Sequence, residues 1–433
     1  MILGMALRLP KLAQRPMHTD EAVHAIKFGA LLEEHYYQYD PIEYHGPTLN
    51  YFSLVPAWLL SAQKLTQVTE SMLRIVPAFF GILLVFFFIF LYKELKSATV
   101  LLAGLFTAIS PAMVYYSRYY IQEILLVFFT FSLIVSFHRY IRTKKIIWAI
   151  AAGLSLGLMH TSKETSVIAL FSLLAAYALS NVAFQNTEKK LLNIPKKSYI
   201  VAVFIIIITA LIISATFYSS FFSSPKGIVN SFLTFKNYVH KAGTNEWHIH
   251  PWYYYFKILL FARLSNVFFS EAFILVFAGI ALYFIFRSKN ISGIDQNFAQ
   301  FIAFYTIIIT VIYCIIPYKT PWSLLGFYHG MIIMAAIGVV SLFKIIRKKL
   351  FSILYIAVIA IGTLHLFYLS YLTNHKFEAD TSNPYVYAHT SKDIYDVTEI
   401  AQDAGKRRQY LPARSAAALS PPLNFLSWLP YLL

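Results

Sequence analysis

The chemistry-bearing residues of this chain gather near its start. Between Arg15 and Phe52 stand His18, Thr19, Asp20, Glu21, Ala22, Val23 and His24, then Tyr39, Asp40 and Pro41, then Tyr44, His45, Gly46 and Pro47. Carboxylates and imidazoles in such a cluster can move protons or hold a divalent metal ion. An apolar scaffold has no need of them. Asp20 and His24 are four apart and share a face if the segment is helical, as a hydrogen-bonded pair or as two metal ligands, with Glu123 as a third candidate ligand. The zinc-protease signature would need a histidine where Asp20 stands, so that chemistry is excluded. Glu123 opens an apolar run near Arg118. It reads either as an interfacial ion pair worth about 0–1 kcal/mol or as a second acid that binds metal or holds an acceptor. Lys163, beside Glu164, is an anchor that snorkels to water or a contact for phosphate. Trp252 to Tyr255, with Trp247 and Trp322, form an aromatic belt or a grip on a sugar or lipid chain. His160, His248, His250 and His329 stay unassigned, since lone imidazoles near an interface are more often satisfied structurally than catalytic.

The elements that position these residues are membrane helices. Of 433 residues 58% are hydrophobic and 13% charged, where a soluble domain carries about a quarter charged. The net charge of +16 does not point to nucleic acid, because the basic residues lie between apolar runs and not on a polar domain. No P-loop and no Gly-x-Gly-x-x-Gly is present, which excludes a nucleotide site of those kinds. Hydropathy predicts spans at Met72–Tyr92, Thr99–Tyr116, Ile121–Phe137, Ile146–Met159, Thr165–Phe184, Tyr199–Phe217, Ala272–Phe286, Phe298–Ile316, Leu324–Phe343 and Leu350–Leu372. Tyr51–Ala62 reads as an interfacial helix. The first nine residues read as the end of a helix that begins before this chain.

Every second connection is basic: Lys93 and Lys96; Arg139, Arg142, Lys144 and Lys145; Lys189, Lys190, Lys196 and Lys197; Arg287 and Lys289; Lys344, Arg347, Lys348 and Lys349. The positive-inside rule places these in the cytoplasm. The alternate connections then face out, and they hold the first polar segment, Arg118 to Glu123, His160 to Glu164, the long stretch from Ser219 to Arg263, and Pro317 to Trp322. A site on that face, without nucleotides, requires an activated substrate delivered through the membrane.

Six motifs occur in order: Asp20-Glu21; Tyr39-Asp40-Pro41 with Tyr44-His45-Gly46-Pro47; Ser117-Arg118 with Gln122-Glu123; Lys163-Glu164-Thr165; Pro251-Trp252-Tyr253-Tyr254-Tyr255; and Lys319-Thr320-Pro321-Trp322. Together they resemble the GT-C type of polytopic glycosyltransferases, related to protein O-mannosyltransferases and the lipid A aminoarabinose transferase. Within it they are most similar to a prokaryotic subgroup associated with flippase activity in archaeal N-glycosylation. The resemblance runs to about His389. It implies an all-α transmembrane bundle of 10 to 11 spans, with a long first extracytoplasmic loop, residues 10–62, carrying interfacial helices. It also implies an inverting transfer of a sugar from a polyprenyl-phosphate donor to a hydroxyl on a protein or glycan, at the outer face of the plasma membrane. Asp20 is then the base, with Glu21 beside it as a second catalytic acid. His45, Arg118, Lys163, Arg263 and Lys319 are the cations for the donor phosphate, and a divalent metal is an open cofactor. Residues 1–372 form the membrane domain and 373–433 an outer tail that reads as an incomplete soluble segment, with a short helix over Lys392–Ala404. A transporter of lipid-linked sugars and a non-catalytic partner subunit are the alternatives.

Overall fold

The computed structural model describes residues 1–42, 45–184, 196–244, 248–287 and 293–409. Tyr44, Lys189, Lys190, Trp247, Lys289 and the tail after residue 409 lie outside the described residues. The chain divides into two units, Met1–His389 and Thr390–Leu433. The second holds a helix at Ile394–Gln409, where the sequence predicts Lys392–Ala404.

Among the described residues the regular structure of the first unit is helical apart from one hairpin and an isolated bridge. A short α1 (Ile2–Arg8) leads into α2 (Thr19–Glu34) and α3 (Thr48–Leu59), the two helices of the first loop. The bundle follows: α4 (Glu70–Phe87), α5 (Tyr92–Ile109), the short α6 (Pro111–Ser117), α7 (Glu123–Thr143), α8 (Ile146–Ser162), α9 (Ser166–Phe184) and α10 (Lys196–Tyr218). After α11 (Lys226–Thr244) and α12 (Tyr254–Leu260) comes the hairpin β1 (Ala262–Leu264) and β2 (Val267–Phe269), antiparallel with Arg263 opposite Phe268. The last members are α13 (Ala272–Arg287), α14 (Gln296–Ile315), α15 (Leu325–Ile345) and α16 (Lys349–Tyr371).

Among the described residues six helical runs are long and apolar enough to cross a membrane: Glu70–Ile109, Glu123–Thr143, Tyr199–Tyr218, Gln296–Ile315, Pro321–Ile345 and Lys349–Lys376. Three shorter apolar helices, Ile146–Ser162, Ser166–Val182 and Ala272–Arg287, complete the set. The protein is a multi-pass membrane protein. The first run is 40 residues long and holds the predicted stretch Met72–Tyr92 and the first part of Thr99–Tyr116. The stretch predicted at Thr99–Tyr116 is not continuous: Ser110 ends α5, and its hydroxyl accepts Met113 N–H at the head of α6, where Pro111 takes the first helical position.

Burial sorts the helices. The apolar windows of α7 and α15 are 72% and 83% buried, those of α10 and α16 only 11% and 6%, so the first two are the axis and the last two face lipid. Close approach at the axis depends on small residues: a Cβ on Gly338 of α15 would stand 2.1 Å from the Phe277 carbonyl of α13. At one end of the bundle Arg142 Nε meets Glu94 at 2.9 Å, Arg142 also pairs with Asp295, and Asp295 N–H donates to the Glu94 carbonyl at 2.8 Å. Three connections that the sequence marks as basic or polar are thereby tied together. The first loop lies at the other end.

Candidate active site

The site is built on the start of α2. His18 is its N-cap: Nδ1 accepts Asp20 N–H at 3.0 Å, and Glu21 Oε2 accepts His18 N–H at 3.0 Å, a reciprocal cap. An accepting Nδ1 carries a lone pair, so the proton sits on Nε2 and donates to the Tyr387 carbonyl at 3.0 Å. Burial, the largest influence, keeps His18 below the usual histidine range. The 3.9 Å approach of Asp20 Oδ1 to Nδ1 is therefore not an ion pair.

Glu21 is fully buried and surrounded by donors. Arg74 reaches its two oxygens at 2.7 and 2.8 Å, Arg15 Nη2 lies 3.3 Å from both, and Tyr120 N–H donates at 2.8 Å. Burial opposes the charge, yet Arg74 and then Arg15 hold the carboxyl well below the usual range. A carboxylate so saturated does not reach a substrate, so the expected catalytic role of Glu21 gives way to that of an anchor for the loop. Arg118 is corrected in the same way. Its guanidinium donates to the carbonyls of Leu7, Arg8, Pro10 and Lys11, which fasten the chain entering the loop and leave little for a phosphate. Burial, then Arg15 and Arg74, push it down to about 9.

Asp20, next to Glu21, is different. Its side chain is 46% exposed. The Tyr318 phenol shows what shares its surroundings: raised first by burial, it responds next to Lys163, Asp20 and Glu123. Three charges from three distant segments thus act on one hydroxyl. Lys163 and Glu123 are paired and buried, and the pair raises Lys163 against its burial. Glu123 Oε2 takes no hydrogen bond from the described residues, and beneath it lies a cavity of about 20 Å³ bounded also by Tyr313 and Ser323.

His45 is held to Glu164, the residue after Lys163. Its Nδ1 lies 2.7 Å from Glu164 Oε2, and Tyr39 donates to Glu164 Oε1 at 3.1 Å. The loop is pressed onto the end of α8, where a Cβ on Gly46 would stand 2.0 Å from the Thr161 carbonyl. Lys319 donates to the carbonyls of His250 and Ile316, and burial pushes it below the ordinary lysine range. It lies on a strap in which Ile249 and Tyr318 form a β-bridge, and Tyr387 O–H meets His248 Nδ1 at 2.5 Å and His250 Nε2 at 3.2 Å. Arg263 is exposed on β1, outside this group. Of the predicted aromatic belt, Trp252 and Tyr253 are exposed, Tyr255 is buried, and Tyr254 stacks on His250 at 4.0 Å.

The donor set does not fit a metal. Among the described residues no three His, Cys, Asp or Glu side chains stand close enough to hold one. Of the three expected ligands, Glu123 already faces the Lys163 ammonium, and His24 is buried beside Gln122 and pushed down to about 3 by burial, His45 and Lys163. Sequence reasoning also missed Glu271. It is fully buried and receives Ser110 O–H at 2.9 Å, Ala112 N–H at 3.1 Å, Tyr328 O–H at 2.5 Å and Tyr385 O–H. That set ties α6, α15 and the segment after α16 together. The tyrosines that reveal it lie 57 and 114 residues away.

Against solved structures, this arrangement of helices and first loop matches the oligosaccharyltransferase AglB of Archaeoglobus fulgidus, solved with an inhibitory peptide and a dolichol-phosphate. The TM-score is 0.58 at 14% identity, covering 92% of this chain and 56% of that one. It also matches ArnT of Cupriavidus metallidurans bound to undecaprenyl phosphate, with a TM-score of 0.60 at 13% identity, covering 83% and 62%. The chain has the GT-C fold. Residues 48–224 match the family model of dolichyl-phosphate-mannose-protein mannosyltransferases. No curated protein matches the sequence. The chain spans a little over half the length of the solved GT-C proteins it resembles.

Proposed function

We propose that this protein is a GT-C glycosyltransferase that moves a sugar from a polyprenyl-phosphate donor to an acceptor hydroxyl. The transfer takes place at the extracytoplasmic face of the plasma membrane, by an inverting single displacement. The observation that carries the reading is the contrast at the head of α2, where Glu21 is locked and Asp20 is 46% exposed, in an electrostatic neighbourhood it shares, through the Tyr318 phenol, with Lys163 and Glu123. Asp20 takes the proton of the acceptor hydroxyl, a step worth about 10²- to 10⁴-fold. The leaving group is a phosphate, whose second pKa near 6 removes the need for an acid to protonate it. It needs cations: Lys163 supplies one, His45 another when protonated, and Lys319, two of whose donors are held by the carbonyls of His250 and Ile316, keeps a third donor, whereas the Arg118 guanidinium is taken up by four carbonyls. A lysine has three donors. Lys163 can therefore keep Glu123 and still meet phosphate oxygens.

The partners are a polyprenyl-phosphate sugar, in keeping with the carrier lipids bound by AglB and ArnT, and an acceptor that is a protein or a glycan. No step is routed through a metal. A transport reading would need ionisable side chains through the bilayer. Here the buried charges gather at the end that holds the first loop, with Glu94 at the other.

The test supplies radiolabelled polyprenyl-phosphate hexoses and candidate acceptors to protein in vesicles. Asp20→Asn is expected to lower transfer by about 10²-fold or more with an unchanged melting temperature. Equal transfer by both forms removes Asp20 from the mechanism.

A further inference from the structure

The helix α11 is inside out for a helix in water. At about 100° per residue, Lys226, Val229, Phe232, Leu233 and Lys236 fall on one arc of about 120°, and all are exposed, Val229 and Phe232 at 61% and Leu233 at 53%. The opposite arc is Gly227, Ser231 and Thr234, all buried. A water-facing amphipathic helix buries its apolar arc and exposes its polar one. The turn before α11 repeats the reversal, with Phe221 58% and Phe222 67% exposed.

The buried polar arc is fitted to the protein. Thr234 Oγ1 donates to the Pro41 carbonyl at 3.1 Å, and a Cβ on Gly227 would stand 1.9 Å from the Tyr218 carbonyl. This packing fixes which side of α11 faces outward. The exposed apolar arc continues the lipid-facing surface of α10, to which it is joined through Phe221 and Phe222. Lys226 and Lys236 are spaced to bury their stems along that arc and to raise their ammonium groups to lipid phosphates.

We infer that α11 lies in the membrane interface on the side that carries α2, with Phe221, Phe222, Val229, Phe232 and Leu233 among the acyl chains of the bilayer. Its protein side holds the Tyr39–Pro41 turn, and Tyr39 holds Glu164 and through it His45. The bilayer surface thereby sets the height of His45.

The test does not depend on activity. In a Cys314→Ala background, single variants Val229→Cys, Phe232→Cys and Leu233→Cys are labelled with an environment-sensitive fluorophore and reconstituted in phosphatidylcholine vesicles. Expected is strong quenching by lipids brominated on their acyl chains and, for aqueous iodide, quenching several-fold weaker than at a Glu34→Cys label at the exposed end of α2. Iodide quenching equal to that at Glu34→Cys overturns the inference, because the face is then in water. Weak quenching by both overturns it too, because a second copy or another protein then covers the face. Phe221→Cys and Phe222→Cys on the preceding turn give the same reading if a helix variant fails to fold.

Discussion

Asp20 and Glu21 are adjacent carboxylates with opposite surroundings, and the difference is the number of donors that reach them. Glu21→Gln leaves Arg74 and Arg15 buried without their counter-charge, which costs about 3–5 kcal/mol. The expected result is a large fall in melting temperature in detergent, against none for Asp20→Asn. The pH dependence follows in sign. A folded-state pKa depressed below the unfolded value of about 4.3 stabilises the fold at all pH above that value, and the contribution declines as pH falls below it. Wild-type melting is thus expected to hold level with respect to this group from pH 8 to 5 and to fall below about pH 4.3, a fall that Glu21→Gln lacks. The Lys163–Glu123 pair separates stability from function differently. Lys163→Met strands a buried carboxylate and should destabilise by about 3–5 kcal/mol; adding Glu123→Gln should recover most of the melting temperature. Under the proposed mechanism the double variant remains without transfer. Recovery of transfer with stability would mark the pair as structural. The sequence singled out both acids of the loop but not their division of labour, because Arg74 lies 53 residues from Glu21 and nothing local announces the contact.

At the scale of elements, the first loop is positioned by close packing as much as by ion pairs. Gly46 is pressed on the Thr161 carbonyl, and Thr48 Oγ1 meets Thr161 Oγ1 at 2.7 Å. Gly46→Ala must push the loop away from backbone that cannot yield, at about 1–3 kcal/mol, and His45 moves with it. The expected outcome is a modest drop in melting temperature with a larger loss of transfer; transfer equal to wild type would show that His45 is not held in place for catalysis. The apolar helices were legible because each is a long hydrophobic run; the break before α6 was missed, although Ser110 and Pro111 mark it, because hydropathy runs on across it from Thr99 to Tyr116. The interfacial piece predicted at Tyr51–Ala62 is α3, Thr48–Leu59. What pattern reasoning could not see is α11, placed inside a long outer connection, because a helix with its polar arc turned inward has the same periodicity as one turned outward.

For the whole molecule, the open quantity is orientation, and charge and architecture bear on it together. The connections holding Glu94, Arg142 and Asp295 are joined by ion pairs at one end, and Lys93, Lys96, Arg139, Lys144 and Lys145 belong to the same two basic connections. The first loop, Lys163 and the strap with Lys319 are at the other end. A cytoplasmic excess of Lys and Arg near span ends decides topology in short loops, so the end with the ion pairs is expected in the cytoplasm and α2 outside. Cys314 is buried, which gives a low background for thiol labelling. A membrane-impermeant maleimide should label Glu34→Cys in intact cells and Lys145→Cys only after permeabilisation. The reverse pattern would put Asp20 on the cytoplasmic side, where the donor would not have to cross the membrane before transfer. The fold would stand unchanged, but the proposed outer-face reaction would not.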